Sequence, residues 1–187
     1  NEEGDLLNVG AEYDAVLEEG RHLLFVKDMD AFSGSVGMKK LTVAKSYTSA
    51  ALDRKMKFEV FRFLSVDSVS VYLVDEQDVV IRVLDSDETV LYQTESKRLK
   101  AGVNRIAVNA ELLPGIYFMD AYGSTGKLRH SNELDDVKFP YEIEGVISLL
   151  GSNLTWIDNK PWYLFFYDWK VSAGNNCAAA PVFVEGK

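Results

Sequence analysis

Residues 79–122 read VVIRVLDSDETVLYQTESKRLKAGVNRIAVNAELLPGIYFMDAY, and their pattern decides the fold. Four strand-like runs, VVIRVL, TVLYQ, NRIAV and GIYFMDAY, are separated by turn signals at DSDE, LKAG and LLPG. Side chains alternate faces along a strand, so Val79, Ile81 and Val83 share one side while Val80, Arg82 and Leu84 share the other. The first side is wholly apolar. Asp85-Ser86-Asp87-Glu88 supplies side chains that cap turns through their own backbone, and Val90, Leu91 and Tyr92 resume the strand, which predicts a hairpin over 79–93. Gly102 and Gly115 precede β-rich runs and Pro114 presets φ at its turn position, so Gly115 is expected to adopt a positive φ.

The same signature extends outward in both directions. Upstream, MKFEVFRF alternates about Met56, Phe58 and Val60, and SVSVYLV about Val69, Val71 and Leu73. Downstream come FPYEIEG, VISLLG, the aromatic run WYLFFYDWKV and PVFVE. Taken as one regular strand, the aromatic run places Tyr163, Phe165, Tyr167, Trp169 and Val171 on a core face. Trp162, Leu164, Phe166, Asp168 and Lys170 fall on the other face, with Leu164 and Phe166 partly covered and the Asp168–Lys170 end in water. Near the start, Val9 to Leu17 alternate and 18–21 turn into HLLFVK, which reads as a hairpin. A helix over 11–19 with Gly20 as its C-cap is the competing reading. Gly123 to Asp136 is the longest polar segment and reads as a loop.

The pattern Leu99-x-Ala101-Gly102-x-Asn104-x-Ile106, followed by Leu112-Leu113-Pro114-Gly115-Ile116-Tyr117-Phe118, resembles bacterial immunoglobulin-like β-sandwich modules of the FlgD-like and secretion-tail type. Those modules usually carry an Asp-x-x-Gly turn in the preceding hairpin. Here Glu88 stands in the glycine's place, and roughly 65 residues follow Tyr122, whereas sorting domains are C-terminal. What the resemblance implies is therefore the sandwich fold. Together with the strand count, it predicts an all-β protein, an immunoglobulin-like or jelly-roll-like β-sandwich of about ten antiparallel strands. One domain over 1–187 is expected, with the hairpin at about 9–27 as an appendage.

With 47% hydrophobic and 12% aromatic residues, the chain has the apolar content of a folded domain. No apolar run reaches the roughly 18 residues that a membrane-spanning helix needs. A net charge of −9 repels phosphate backbones, which argues against nucleic acid as a partner. The single cysteine, Cys177, excludes an internal disulfide and reads as a small buried apolar group. The opening Asn-Glu-Glu-Gly-Asp suits the polar tether of a surface lipoprotein, which predicts a lipid anchor upstream of Asn1 and an extracellular or cell-surface location.

Catalytic signatures are absent from the sequence. His22 and His130 are the only histidines and neither sits in a nucleophile motif, and no phosphate-binding glycine loop is present. Paired carboxylates for glycoside hydrolysis are always available among 29 acidic residues, because the required separation is spatial. Asp28 and Asp30 with Gly34, and Asp85 with Asp87 and Glu88, offer hard oxygens to calcium, yet neither completes an EF-hand loop. No metal and no cofactor is expected. Asn153-Leu154-Thr155 matches a glycosylation sequon.

The candidate binding residues are Trp156 and Trp162, because flat indole faces stack on sugars and on partner side chains. The alternative for both is closure of the core's end. These observations predict a non-catalytic binding or adhesion module of a bacterial surface or secreted protein, taking a glycan or a protein partner. A carbohydrate-active enzyme or its ancillary domain, and a structural component of a surface assembly, are the other readings.

Overall fold

The computed structural model describes residues 20–26, 32–42, 47–49, 53–131, 137–155, 162–173 and 180–186. All their regular structure is strand, and none forms a helix. In chain order the strands begin with β1 (Gly20–Val26), β2 (Phe32–Val36), β3 (Tyr47–Ser49), β4 (Lys55–Val60), β5 (Leu64–Leu73) and β6 (Gln77–Val79). Next come β7 (Arg82–Leu84), β8 (Val90–Gln93), β9 (Lys97–Leu99), β10 (Gly102–Leu112), β11 (Gly115–Asp120) and β12 (Lys127–Ser131). The last are β13 (Tyr141–Ile143), β14 (Ile147–Ser152), β15 (Tyr163–Leu164), β16 (Tyr167–Ala173) and β17 (Ala180–Gly186). The all-β reading holds.

The chain divides into two compact units, Asn1–Phe32 with Ala173–Lys187, and Ser33–Ser172. In the first, β1 and β17 run antiparallel from Gly20 opposite Gly186 to Val26 opposite Ala180. HLLFV thus finds a partner at the far end of the sequence, while residues 9–19 lie outside the described residues.

In the second unit, a seven-stranded sheet has the order β15-β12-β5-β16-β2, with β10 also on β5 and β3 on β12. A six-stranded sheet runs β13-β14-β4-β11-β7-β8, and β6 pairs with β9. The expected hairpin is present as β7 and β8. Its turn is closed by Asp85, whose Oδ1 accepts the backbone N–H of Asp87 and of Thr89, each at 2.9 Å. That is the capping chemistry its short acidic side chain provides.

Alternation along β4 buries Met56, Phe58 and Val60, and the neighbouring strands bury Tyr117, Met119, Ile147 and Leu149. Opposite them, Trp169 of β16 meets Phe58 edge-on with ring centroids 5.2 Å apart, and Tyr163 of β15 meets Tyr141 of β13 at 5.3 Å. The two large sheets therefore pack face to face as a sandwich. Each large side chain so buried contributes about 1.5–3 kcal/mol. Trp169 also donates its indole N–H to Phe166 O at 2.8 Å, so its polar atom enters the core satisfied.

Three expectations are corrected. The aromatic run is two strands rather than one, broken where Phe165 has φ +54° and Phe166 N–H bonds to Leu164 O at 2.6 Å. This three-residue turn buries Leu164 and Phe166 as completely as Tyr163, Phe165 and Tyr167. Gly115 does not take a positive φ: it opens β11 in extended geometry, and a Cβ there would meet Tyr117 Oη at 3.3 Å. The left-handed glycines flanking this region are Gly102 (φ +102°) and Gly123 (φ +101°). Finally, the polar segment after Gly123 is not one long loop, because β12 occupies its middle.

Candidate functional site

One row of the six-stranded sheet carries an organised set of charged side chains. Register sets Lys55 of β4 opposite Asp120 of β11, Asp120 opposite Arg82 of β7, and Arg82 opposite Gln93 of β8. Alternation places these residues on the face away from Met56, Met119 and Val83, which are buried. Opposite charges directly across a ladder attract, so the row helps to fix the register that creates it.

Asp120 is only 1% exposed and is held by both prongs of Arg82, with Nε to Oδ1 at 2.8 Å and Nη2 to Oδ2 at 2.6 Å. A two-pronged guanidinium–carboxylate pair fixes direction as well as charge. Tyr122 N–H also donates to Asp120 Oδ1, at 3.1 Å. The chain then turns at Ala121–Ser124, with Ser124 N–H bonding to Ala121 O at 3.1 Å and Gly123 supplying the left-handed position. Ser124 Oγ pins the turn by accepting Val80 N–H at 2.9 Å and donating to Val80 O at 3.1 Å. Tyr122 consequently projects from a fixed corner. Its ring centroid lies 4.7 Å from the Arg82 guanidinium carbon, and the residue is 49% exposed. One ring face is backed by a clamped cation, a favourable arrangement for the π-system.

Lys55 completes the row. Its side chain is 6% exposed, yet its ammonium reaches Glu88 Oε2 at 2.6 Å and Asp53 Oδ1 at 3.2 Å, and lies 5.6 Å from the Phe118 ring centroid. Burial alone would lower its pKa, and the two carboxylates outweigh burial and raise it. Glu88 stands at the turn's fourth position with φ +64°, in the left-handed region that glycine usually fills. The acidic turn is thus spent on capping through Asp85 and on pairing through Glu88. No cluster of three or more His, Cys, Asp or Glu able to hold a metal exists among the described residues. Asp28 and Asp30 lie outside them.

Of the two tryptophans singled out by sequence, Trp156 lies outside the described residues. Trp162 is half-buried, with its ring stacked on His130. Its backbone is fixed at both ends, N–H to Leu154 O at 2.8 Å and O accepting Ser152 Oγ at 2.7 Å. His130 is buried. Asn153 of the sequon has its side-chain amide engaged, accepting Lys55 N–H and donating to Asp53 O, both at 2.9 Å. Cys177 lies outside the described residues. Sequence reasoning missed Tyr122, which was read as the end of a strand run. Gly123 and Ser124 directly after it are the turn signal that would have placed it at an exposed corner.

No family model matches the sequence, and no curated protein matches it. Among solved structures, a chain from the infectious bursal disease virus Gx strain aligns with 95% of this chain and 44% of its own length, at 11% identity and a TM-score of 0.24. This chain therefore spans less than half of that viral chain, and at such a score the likeness carries no argument about fold or function.

Proposed function

We propose that this chain is a non-catalytic binding module of a bacterial cell-surface or secreted protein, and that it takes a glycan on the outer face of its six-stranded sheet. The observation that carries the reading is Tyr122, an exposed ring held by a turn and backed by the Arg82–Asp120 clamp. A pre-positioned aromatic face loses little freedom on binding, and apolar sugar faces stack on such rings. The charged groups beside it are committed to one another, Arg82 to Asp120 and Lys55 to Glu88 and Asp53, which favours recognition over proton transfer. The immunoglobulin-like resemblance of residues 79–122 supports the surface location.

The test is a panel of neutral oligosaccharides screened against the chain, followed by calorimetry with Tyr122→Ala. Binding should weaken at least tenfold in the variant while its melting temperature stays unchanged. Undiminished binding by the variant, or absence of any binder, overturns the assignment. Cleavage of a panel member would favour the carbohydrate-active enzyme instead.

A second reading, a component of a surface assembly, is favoured by β10. Among the described residues this strand of 11 pairs only with β5, and Val103 on it is 62% exposed. Unpaired strand edges recruit other strands. Val103→Lys should abolish any concentration-dependent oligomer seen by light scattering.

A further inference from the structure

On the other sheet, three cationic side chains converge on one carboxylate. Arg105 of β10 donates Nη1 to Asp168 O at 2.6 Å and Nη2 to Asp168 Oδ2. Lys170 Nζ bonds to Asp168 Oδ1 at 3.2 Å, and Lys39 Nζ lies 3.7 Å from the same oxygen. Ser35 Oγ donates to Oδ1 at 2.5 Å while accepting Lys39 Nζ at 2.5 Å. Asp168 itself is held at φ +45°, with its N–H on Met38 O at 2.8 Å. Aspartate tolerates the left-handed region better than most residues, and the bonds from Arg105, Lys170 and Ser35 together with its own N–H on Met38 O hold it there.

One carboxylate cannot neutralise three cations, so among these groups two positive charges are left over, in a chain whose net charge is −9. Asp168 is 17% exposed, whereas the side chains of Lys39, Lys170 and Arg105 are 61%, 47% and 39% exposed. Donors remain as well. A guanidinium has five N–H groups and an ammonium three, more than Asp168 and Ser35 consume. The unused donors come from three separate segments, Lys39, Arg105 and Lys170, around one point, and the surplus charge there is positive, which suits an oxyanion with several acceptor oxygens.

We propose that Lys39, Arg105 and Lys170, gathered by Asp168, form a subsite for a sulfate or phosphate group, free or carried as an ester on an acidic glycan. This assignment does not rest on the Tyr122 reading. Asp168 acts as a positioning residue, holding together cations that would otherwise repel one another.

The test measures melting temperature in rising sodium sulfate against sodium chloride at equal ionic strength, for the wild-type chain and for Lys39→Gln/Lys170→Gln. Both lysines are well exposed, so the variant should fold, which circular dichroism checks. The expected result is a saturable stabilisation by sulfate in the wild type, absent from the double variant and retained by Lys39→Arg/Lys170→Arg. An equal rise in wild type and the Gln variant would be a general salt effect and overturns the proposal. Calorimetry with a sulfated oligosaccharide and its desulfated form assigns the source. At least tenfold tighter binding of the sulfated form supports the ester, and a response to inorganic sulfate alone supports a free anion at the same subsite.

Discussion

The indole of Trp162 lies nearly parallel to the imidazole of His130, with ring centroids 4.7 Å apart and planes 20° apart. His130 is 2% exposed, and among the described residues neither ring nitrogen has a hydrogen-bond partner. Burial therefore lowers its pKa from 6.5 to about 4. A histidine depressed in the folded state binds its proton more readily when unfolded, so its contribution is present above pH 6.5 and is lost as pH falls through about 4. The full loss is on the order of 3 kcal/mol. Urea unfolding at pH 7, 5.5 and 4.5 should show this decline in the wild type and a flatter one in His130→Phe, which keeps the stacked ring.

Glu88 supports a second prediction, because two effects oppose each other there. Its left-handed backbone costs about 1 kcal/mol, while its ion pair with the enclosed Lys55 contributes about 0.5–1 kcal/mol. Glu88→Ala loses the pair and keeps the strain, whereas Glu88→Gly loses the pair and relieves the strain. Chemical denaturation should rank Glu88→Gly about 1 kcal/mol above Glu88→Ala and close to the wild type.

The Arg82–Asp120 pair should show strong coupling. Arg82→Leu strands a carboxylate that is 1% exposed and should destabilise by about 3 kcal/mol or more. Arg82→Leu/Asp120→Leu should recover a large part of that loss, because removing both charges removes the stranded one. A double-mutant cycle reads the difference. Additive losses would mean that the pair is solvated in solution.

Asp168 has its own pH signature. Burial alone would raise its pKa, but hydrogen bonds from Ser35, Arg105 and Lys170 outweigh burial and hold it well below the usual carboxylate range. A carboxylate depressed in this way stabilises the fold above its unfolded value near 3.8, and that contribution fades only as pH falls further. Asp168→Asn should therefore cost about 2 kcal/mol at pH 7, less than a fully buried pair because its partners are exposed. The gap from wild type should narrow between pH 4 and pH 2 in unfolding experiments.

Much of the sandwich was legible in the sequence because it rests on period two and on local turn chemistry. Met56, Phe58 and Val60 alternate with Lys57 and Glu59, and Asp85 caps its own hairpin, so β4 and the hairpin of β7 and β8 follow from short-range rules. The site was not legible, because it exists only once register is set. Arg82 and Asp120 are 38 residues apart, and Arg105 and Asp168 are 63 apart. No local pattern marks either pair. Phe165 also takes a left-handed conformation that its residue type disfavours, so tertiary packing overrides local preference there. Trp162 was singled out for its chemistry, while its stacking on His130 depends on β12 and β15 lying side by side.

The turn at Phe165 gives the aromatic run a parity. In a plain strand only every second residue faces inward, yet Tyr163 through Tyr167 are all buried because the turn restarts the count between β15 and β16. Removing or adding a single residue at that point would exchange the two sets beyond it, directing Trp169 and Val171 outward and Lys170 into the space beside Phe58. Changes of two residues would preserve the phase. This short buried stretch is therefore intolerant of odd-numbered length changes, and homologues should differ there by an even number of residues or not at all.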